Sequence, residues 1–281
     1  MNVALNTSAR TGAALQSHGA VLAFENGTEH FLWGSENAHH WVGLPQFDNL
    51  IGQTALQVFD RRLTHAIRNA NSHDPDTERR LRLGIFRLAE TDVQAWMFTN
   101  GNHFIIELVS PPTDPDPDPT TTLNDVALLN AQLLLPDDTT ALQECARVLR
   151  TLSGFKSVAV MAGQGIDANV ITCSGDPFAT PVPWSVGRHI HEIPDLTAPV
   201  LTLRGADVPR SALNASGMIA PGPAQAQALA AYCTACATMG FGNPSAKPMY
   251  FAFLHHMPRA LNSRTRFALD HLGLLLRHRF A

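Results

Sequence analysis

Four cysteines and several histidine pairs are the residues of this sequence whose types and spacing could support chemistry. Cys233 and Cys236 have the Cys-x-x-Cys spacing of a redox pair or of half a zinc site. A closed zinc site needs four ligands, and neither a second Cys-x-x-Cys nor a His-x-x-x-His lies nearby. We therefore expect these thiols to behave as small buried apolar groups, and the sequence predicts no metal site.

The remaining polar residues give no catalytic arrangement. His39 with His40, and His189 with His191, supply at most two ligands each, so we expect them in loops or on the surface. The motifs Gly-x-Ser-x-Gly, His-Glu-x-x-His and Gly-x-Gly-x-x-Gly and the P-loop are absent. The dispersed carboxylates offer no defined acid–base pair. The sequence therefore predicts that the protein is not an enzyme.

The composition is that of an ordinary globular protein. Of the 281 residues, 45% are hydrophobic and 16% are charged, and the formal net charge is −4. A negative net charge does not attract phosphate backbones, so nucleic-acid binding is not expected. No signal peptide or long apolar span is present, which argues against a membrane association. The four unevenly placed cysteines are expected to be reduced thiols in the cytoplasm.

A proline-rich stretch, SPPTDPDPDPTTT at residues 110–122, divides the sequence, because repeated proline can continue neither a helix nor a central strand. Before it, five strand-like segments with helices after the second predict one antiparallel sheet. After it, helices at both ends flank further strands, and residues 223–236 are predicted to be a helix. We expect an α+β protein with domains at residues 1–110 and 123–281, joined by a linker at residues 111–122.

The last predicted helix, NSRTRFALDHLGLLLRHRF, is more apolar than one core-facing stripe requires. Leu269, Leu272 and Leu276 are predicted to form a seam facing a second subunit or a partner signalling protein. The other interpretation is that the helix simply lies against its own domain.

Four separated segments resemble the phytochrome family, and in particular its bacteriophytochrome-like PAS–GAF photosensory module. The stretch TGAALQSHGAVLA, at residues 11–23, resembles the segment that opens the phytochrome PAS domain. Three later stretches resemble parts of its GAF domain: LRTLSGFKSVAVM, HEIPDLTAPVLTL and FAFLHHMPRALNSRTRFALDHLGLLL. The resemblance implies a PAS domain followed by a GAF domain, each an antiparallel sheet flanked by helices. It also implies a phytochrome-type knot, in which the first dozen residues cross the region 196–220.

The resemblance implies a GAF pocket for a linear tetrapyrrole, or bilin, but the attachment point of that pigment is missing. The attaching cysteine of the bacterial members falls on Val3, and the earliest cysteine of the sequence is Cys145. The aspartate of the family's PASDIP motif falls on Pro181 in the stretch FATPVP. A thioether to the N-terminal segment is therefore excluded, and a carboxylate of the pocket is lost.

The positions that contact the bilin's pyrrole nitrogens and propionates in this family also differ. By resemblance, Gln225 stands in place of a histidine, Met161 in place of a tyrosine, and His191 near a propionate-binding arginine. His255 and His256 match the family's paired histidines, and strand geometry would turn one of them into the pocket. The ligand-pocket candidates are Met161, Pro181, Val182, Pro183, Gln225, His255 and His256.

These observations predict a phytochrome-like PAS–GAF sensory or signalling module that has lost covalent bilin binding. Such a module would act through protein–protein contact, as a homodimer or with a partner signalling protein, and would carry no cofactor. The alternative is a photoreceptor or ligand sensor that binds biliverdin or another small molecule non-covalently in the GAF pocket.

Overall fold

The structure of the chain is a computed structural model, and it divides into two compact units. It describes residues 14–73, 80–111, 118–163, 168–177, 190–205, 208, 213, 215–241 and 248–280. The first unit contains the described residues up to Pro111 together with the segment Ala198–Ala220. The second unit contains the other described residues.

Thirteen strands and seven α-helices are present in the described part of the chain. The strands are β1 Leu15–Gln16, β2 Gly19–Glu25, β3 Phe31–Ser35, β4 Leu81–Leu88, β5 Thr91–Asn100, β6 His103–Val109, β7 Ser157–Ala162, β8 Asn169–Gly175, β9 Ile190–Ile193, β10 Val200–Leu201, β11 Leu203–Gly205, β12 Ala235–Phe241 and β13 Met249–His255. The helices are α1 Ala38–Trp41, α2 Ala55–Val58, α3 Arg61–His73, α4 Pro119–Leu133, α5 Asp138–Ser153, α6 Pro223–Ala230 and α7 Ser263–Arg279, with a 3₁₀ helix at Phe47–Leu50.

The first unit is built on a six-stranded antiparallel sheet with the order β11-β3-β2-β6-β5-β4. Its central strands are buried on both faces, which explains the nearly continuous apolar sequence of β2. The helices between β3 and β4 cover one face, where Phe24 is stacked on Phe104 with ring centroids 5.2 Å apart. On the other face Trp33 and Trp96 pack with residues of the segment Ala198–Ala220.

The segment Ala198–Ala220, which we call the strap, returns from the second half of the sequence to complete the first unit. Its strand β11 pairs with β3, and its strand β10 pairs with β1. On the other edge of β1, the Gln16 amide donates to the Met218 carbonyl at 2.8 Å. Residues 14–16 therefore lie between two parts of the strap. The predicted crossing of the first dozen residues falls outside the described residues.

The second unit contains a five-stranded antiparallel sheet with the order β8-β7-β13-β12-β9. Helices α4, α5 and α7 cover one face of this sheet and form a continuous hydrophobic core with it. The N-terminus of α4 is capped by the carboxylate of Asp118, which accepts hydrogen bonds from the amides of Thr120 and Thr121. Helix α5 ends at Gly154, which has the left-handed φ of 64° that glycine adopts without strain. The predicted α+β class with antiparallel sheets and flanking helices is confirmed.

Helix α6 is shorter than the sequence pattern predicted. It ends at Ala230, whereas the prediction extended it to residue 236. The residues Ala235–Phe241 instead form β12, which is buried on both faces and paired with β13 and β9. Its small alanine and cysteine side chains favour a helix in isolation, but pairing on both edges of a central strand overrides that preference.

The three leucines predicted to face another subunit pack inside their own unit. Leu269, Leu272 and Leu276 are at most 1% exposed and belong to the core between α7 and the second sheet. The sequence interpretation that placed a subunit seam on them is therefore corrected. The apolar side chains that α7 leaves exposed are Phe267, Leu274 and Leu275.

Candidate functional site

The candidate site is the face of the second sheet opposite to helices α4, α5 and α7. Successive strand residues point to opposite faces, so Met161 of β7 and Tyr250 of β13 lie on this face. Helix α6 covers the cluster with Leu229. The buried members, which we call the pocket-face cluster, are Ala159, Met161, Ala168, Ile193, Leu229, Cys233, Cys236, Tyr250, Ala252 and Leu254.

The structure brings only some of the sequence-predicted pocket residues to this face. Met161 lies in the pocket-face cluster and is fully buried. Gln225 lies in α6, where its side-chain oxygen accepts a hydrogen bond from the Gly222 amide at 3.1 Å. This bond satisfies an otherwise unpaired amide at the start of the helix. The candidates Pro181, Val182 and Pro183 lie outside the described residues.

The adjacent residues His255 and His256 lie on different sides of the second sheet, as alternation along a strand requires. His255 lies on the helix-covered face, where its ring meets Phe155 edge-on with centroids 5.8 Å apart. His256 follows the end of β13 and is exposed. Of the two, His256 is the one that reaches the cavity beside the pocket-face cluster.

That cavity has a volume of about 230 Å³. It is lined by Ser157, Asp176, Pro177, Ala231, Tyr232, Leu254 and His256. The Asp176 carboxylate lies 2.8 Å from the Lys156 ammonium group. The hydrogen bond and charge of Lys156 lower the pKa of Asp176, so its carboxylate is ionised at neutral pH.

The pocket face also carries Thr238, His191 and Tyr250, of which the sequence predicted only His191, by resemblance. Thr238 of β12 lies directly opposite His191 of β9, and both are buried. Among the described residues, the Thr238 hydroxyl has no hydrogen-bond partner. Tyr250 is also buried, which raises the pKa of its phenol to about 12 and keeps it neutral. Alternation along β12 is the signal that would have revealed Thr238, but the predicted helix included Ala235 and Cys236, and no strand was predicted for the residues that follow them.

The thiols are poorly suited to forming a bond with a ligand. Burial raises the pKa of the Cys145 thiol to about 12, and this residue lies in the helix-covered core. A hydrogen bond to Cys233, together with burial, raises the pKa of Cys236. Cys233 itself donates to the Leu229 carbonyl at 3.5 Å. Because the thiolate is the reactive form, these buried thiols are weak nucleophiles. Cys173 on the edge strand β8 is only half-buried and packs against the pocket-face cluster.

The described residues of this face do not fit a covalently held tetrapyrrole with two propionates. The buried polar side chains that the structure places on this face are Ser157, His191, Thr238 and Tyr250, and none of these four carries a permanent positive charge. A buried carboxylate without a cationic partner costs several kcal/mol. Among the described residues, no group of three or more His, Cys, Asp or Glu side chains could hold a metal ion. Within the same residues, no helix combines the length and apolar character needed to cross a bilayer.

These features define an α+β protein of two units, each built on an antiparallel sheet that is flanked by helices. Residues 5–110 match the family described as PAS fold. The chain as a whole has the fold of the phytochrome chromophore-binding domain, a PAS domain followed by a GAF domain. This finding confirms the phytochrome-like resemblance of the sequence.

Solved structures similar to the chain cover nearly all of it at low sequence identity. The chromophore-binding domain of Stigmatella aurantiaca phytochrome P1 superimposes with a TM-score of 0.74 and 16% identity, covering 95% of this chain and 96% of that chain. The chromophore-binding domain of an unusual bacteriophytochrome from R. palustris gives a TM-score of 0.73 and 17% identity, covering 95% and 93%. No curated protein matches the sequence.

Proposed function

We propose that the chain is a PAS–GAF sensory module that attaches no bilin and passes its signal by contact with protein. The observation that carries this proposal is the pocket-face cluster. In the similar structures the same fold is a chromophore-binding domain. Here Met161, Tyr250 and Ile193 fill that side of the second sheet with the chain's own buried side chains. The proposal includes no catalytic activity.

The size of the cavity beside the cluster supports this proposal. Pockets that enclose drug-sized ligands have volumes of about 300–1,000 Å³. The cavity at Leu254 and His256 has about 230 Å³. A tetrapyrrole with four rings and two propionates is larger than such ligands, so the cavity that these described residues form would not enclose it.

The position of the cysteines supports the absence of a covalent bond. The sequence contains no cysteine before Cys145. Cys145 faces the helix-covered core, and Cys233 and Cys236 are buried within the pocket-face cluster. The four free thiols suit a reducing compartment, and we place the protein in the cytoplasm for this reason.

A surface on α4 and α7 is the place where we propose protein contact. Along α4 the only charged residue is Asp125, which is buried and paired with Arg264. Leu123 and Leu134 are 68% and 84% exposed. The contact face, as we call it, comprises Leu123, Ala127, Leu128, Ala131 and Leu134, together with Phe267, Leu274 and Leu275. Helices α4 and α7 are neighbours within the second unit.

A second copy of the chain is the partner that suits the contact face. An isologous contact with its twofold axis at Ala127 would set Leu123 of one copy against Ala131 of the other, so that a large side chain meets a small one. Because the outward face of α4 is uncharged, two copies would approach each other there without repulsion between like charges.

A non-covalent ligand in the second unit is the alternative function, and one observation favours it. The Thr238 hydroxyl is buried directly opposite His191, and no described residue forms a hydrogen bond with it. Buried polar groups are normally paired, so a small ligand with a hydrogen-bonding group would satisfy it. Biliverdin bound without a covalent link, or a smaller and more apolar molecule, would belong to this class.

Absorption spectroscopy after mixing the purified protein with biliverdin tests the proposal. We expect no protein-bound red band and no reversible change after red light. A stable red-absorbing band that is converted by red light would overturn the proposal in favour of a photoreceptor. Native mass spectrometry of freshly isolated protein then tests the alternative, because a stoichiometric bound small molecule would establish the ligand sensor.

A further inference from the structure

Glu107 is a fully buried carboxylate in β6, one of the central strands of the first sheet. Its two oxygens face different partners. Oε2 accepts a hydrogen bond from Arg80 Nε at 2.6 Å. Oε1 accepts one from the Gly217 amide at 3.1 Å and another from the Ser216 hydroxyl. One oxygen is thus held from the sheet side and the other from the strap.

The ion pair on the sheet side is itself fixed in place. The Arg80 side chain is 11% exposed, and its guanidinium lies over the ring of Trp96, 4.3 Å from the ring centroid. Stacking of this kind restricts the guanidinium to one orientation. If the strap opened, Arg80 would remain, but Oε1 of Glu107 would lose both donors. A buried carboxylate that loses hydrogen bonds is strongly disfavoured, so the charge of Glu107 holds the strap closed.

The strap approaches this ion pair closely, and Gly217 makes the approach possible. A Cβ atom at this position would lie 2.7 Å from the Arg80 guanidinium. The Ser216 hydroxyl also accepts a hydrogen bond from the Met218 amide at 3.1 Å, which organises the backbone of the strap around the carboxylate. Next along the chain, the Met218 carbonyl accepts a hydrogen bond from the Gln16 amide at 2.8 Å.

We propose that Arg80, Glu107, Ser216 and Gly217 form a latch that closes the end of the strap on the first sheet and thereby holds β1 in place. Beyond the latch, the Met218 carbonyl accepts a hydrogen bond from the Gln16 amide, and the Ala220 amide donates to the Ala14 carbonyl at 2.8 Å. Release of the latch would therefore free residues 14–16 together with the end of the strap. The importance of this release for signalling rests on the proposed sensory function.

Hydrogen–deuterium exchange of the full chain, measured by mass spectrometry, tests the latch. The Ser216→Ala variant removes one hydrogen bond to the buried carboxylate, and we expect amides of the strap after residue 215 to exchange about ten- to a hundredfold faster. Amides of residues 14–16 are expected to exchange faster as well, because they bond to Met218 and Ala220 of the strap. The matched control is Thr202→Ala, which removes a 2.8 Å hydrogen bond from another strap hydroxyl to the exposed carboxylate of Glu36. We expect this control to change exchange less than threefold.

Two results would overturn the latch. One is a wild-type rate of exchange in the strap and in residues 14–16 of Ser216→Ala, and the other is an equal acceleration in Thr202→Ala. The Gly217→Ala variant provides a second measurement, because its added methyl group would lie 2.7 Å from the Arg80 guanidinium and would push it away from Glu107, while the Ser216 hydroxyl is kept. It should accelerate exchange in the same peptides while the second unit's sheet stays protected. Neither measurement requires a ligand, so failure of the latch and failure of the proposed function are distinguishable.

Discussion

At the scale of single residues, Glu192 shows how much one buried charge depends on its partner. Its Oε2 lies 2.7 Å from Arg266 Nη2, and its Oε1 accepts a hydrogen bond from the Leu261 amide. Both side chains are largely buried, at 8% and 13% exposure. We expect Arg266→Met to lower the free energy of unfolding by about 3–5 kcal/mol, because it leaves an unpaired charge in the interior. Urea unfolding followed by circular dichroism measures this change.

The matched control for this prediction is Lys156→Met. Lys156 pairs with Asp176 at a similar distance of 2.8 Å, but the two side chains are 50% and 61% exposed. Exposed ion pairs contribute about 0–1 kcal/mol, so the control should unfold nearly as the wild type does. Equal losses in the two variants would contradict the assignment of the stabilising effect to burial.

The thiols give a second prediction at the residue scale. Burial raises the pKa of Cys145 to about 12, from an ordinary value of 9.0, so this thiol stays protonated at pH 8. We expect iodoacetamide at pH 8 to modify the half-buried Cys173 first and to leave Cys145 and Cys236 unmodified until the protein unfolds. Peptide mass spectrometry measures the order of modification. Labelling of Cys145 in the native protein as fast as Cys173 would contradict the burial of its thiol.

At the scale of elements, the glycine that ends β8 is held against the backbone of β7. Gly175 has a φ of 103°, and a Cβ atom there would lie 2.2 Å from the Lys156 carbonyl oxygen. We expect Gly175→Ala to lower the free energy of unfolding by about 3 kcal/mol, since it combines left-handed strain with overpacking against a backbone that cannot move aside. Thermal and urea unfolding provide the measurement.

Gly154 is the control for that prediction within the same unit. It also has a positive φ, of 64°, but a Cβ atom there would meet only the guanidinium end of Arg259, a flexible and exposed side chain. Gly154→Ala should therefore cost only the left-handed strain, about 1 kcal/mol. Equal stability of the two alanine variants would show that the close approach of β8 to β7 does not require glycine at position 175.

Patterns in the sequence predicted strands and helices well where one periodicity was dominant. The apolar runs of β2 and β13, and the amphipathic helix α5, could be predicted because their side chains alone indicate the buried face. Strand β12 could not be predicted, because its first residues continue the alanine-rich pattern of the preceding helix and its partner β9 is distant in the chain. For the same reason Thr238 was missed at the candidate site, whereas Met161 was found by resemblance. Secondary-structure propensity describes an isolated segment, whereas pairing with neighbouring strands decides the structure of a central strand.

At the scale of the whole molecule, the return of the strap to the first unit could not be predicted from the periodicity of the sequence, although the phytochrome resemblance implied that region 196–220 meets the N-terminal segment. Thr202 and Glu36 form a hydrogen bond although they are 166 positions apart, and β11 has only three residues. A strand this short carries no periodic signal, and its pairing depends on the complete first sheet. The burial of Leu269, Leu272 and Leu276 within their own unit could not be predicted either, because an apolar stripe on α7 does not reveal which surface will cover it.

The correction of the leucine seam changes how self-association should be tested. We expect the protein to form a dimer with twice the 30.5 kDa mass of one chain, measured by light scattering at high concentration. The double variant Leu128→Glu and Leu134→Glu places charges on the contact face, where both leucines are exposed in the single chain, and should yield a folded monomer. Leu272→Glu should instead unfold the second unit, because it buries an unpaired carboxylate in the core. A wild-type mass of one chain, or a dimer that persists with both glutamates, would exclude this face as the subunit contact.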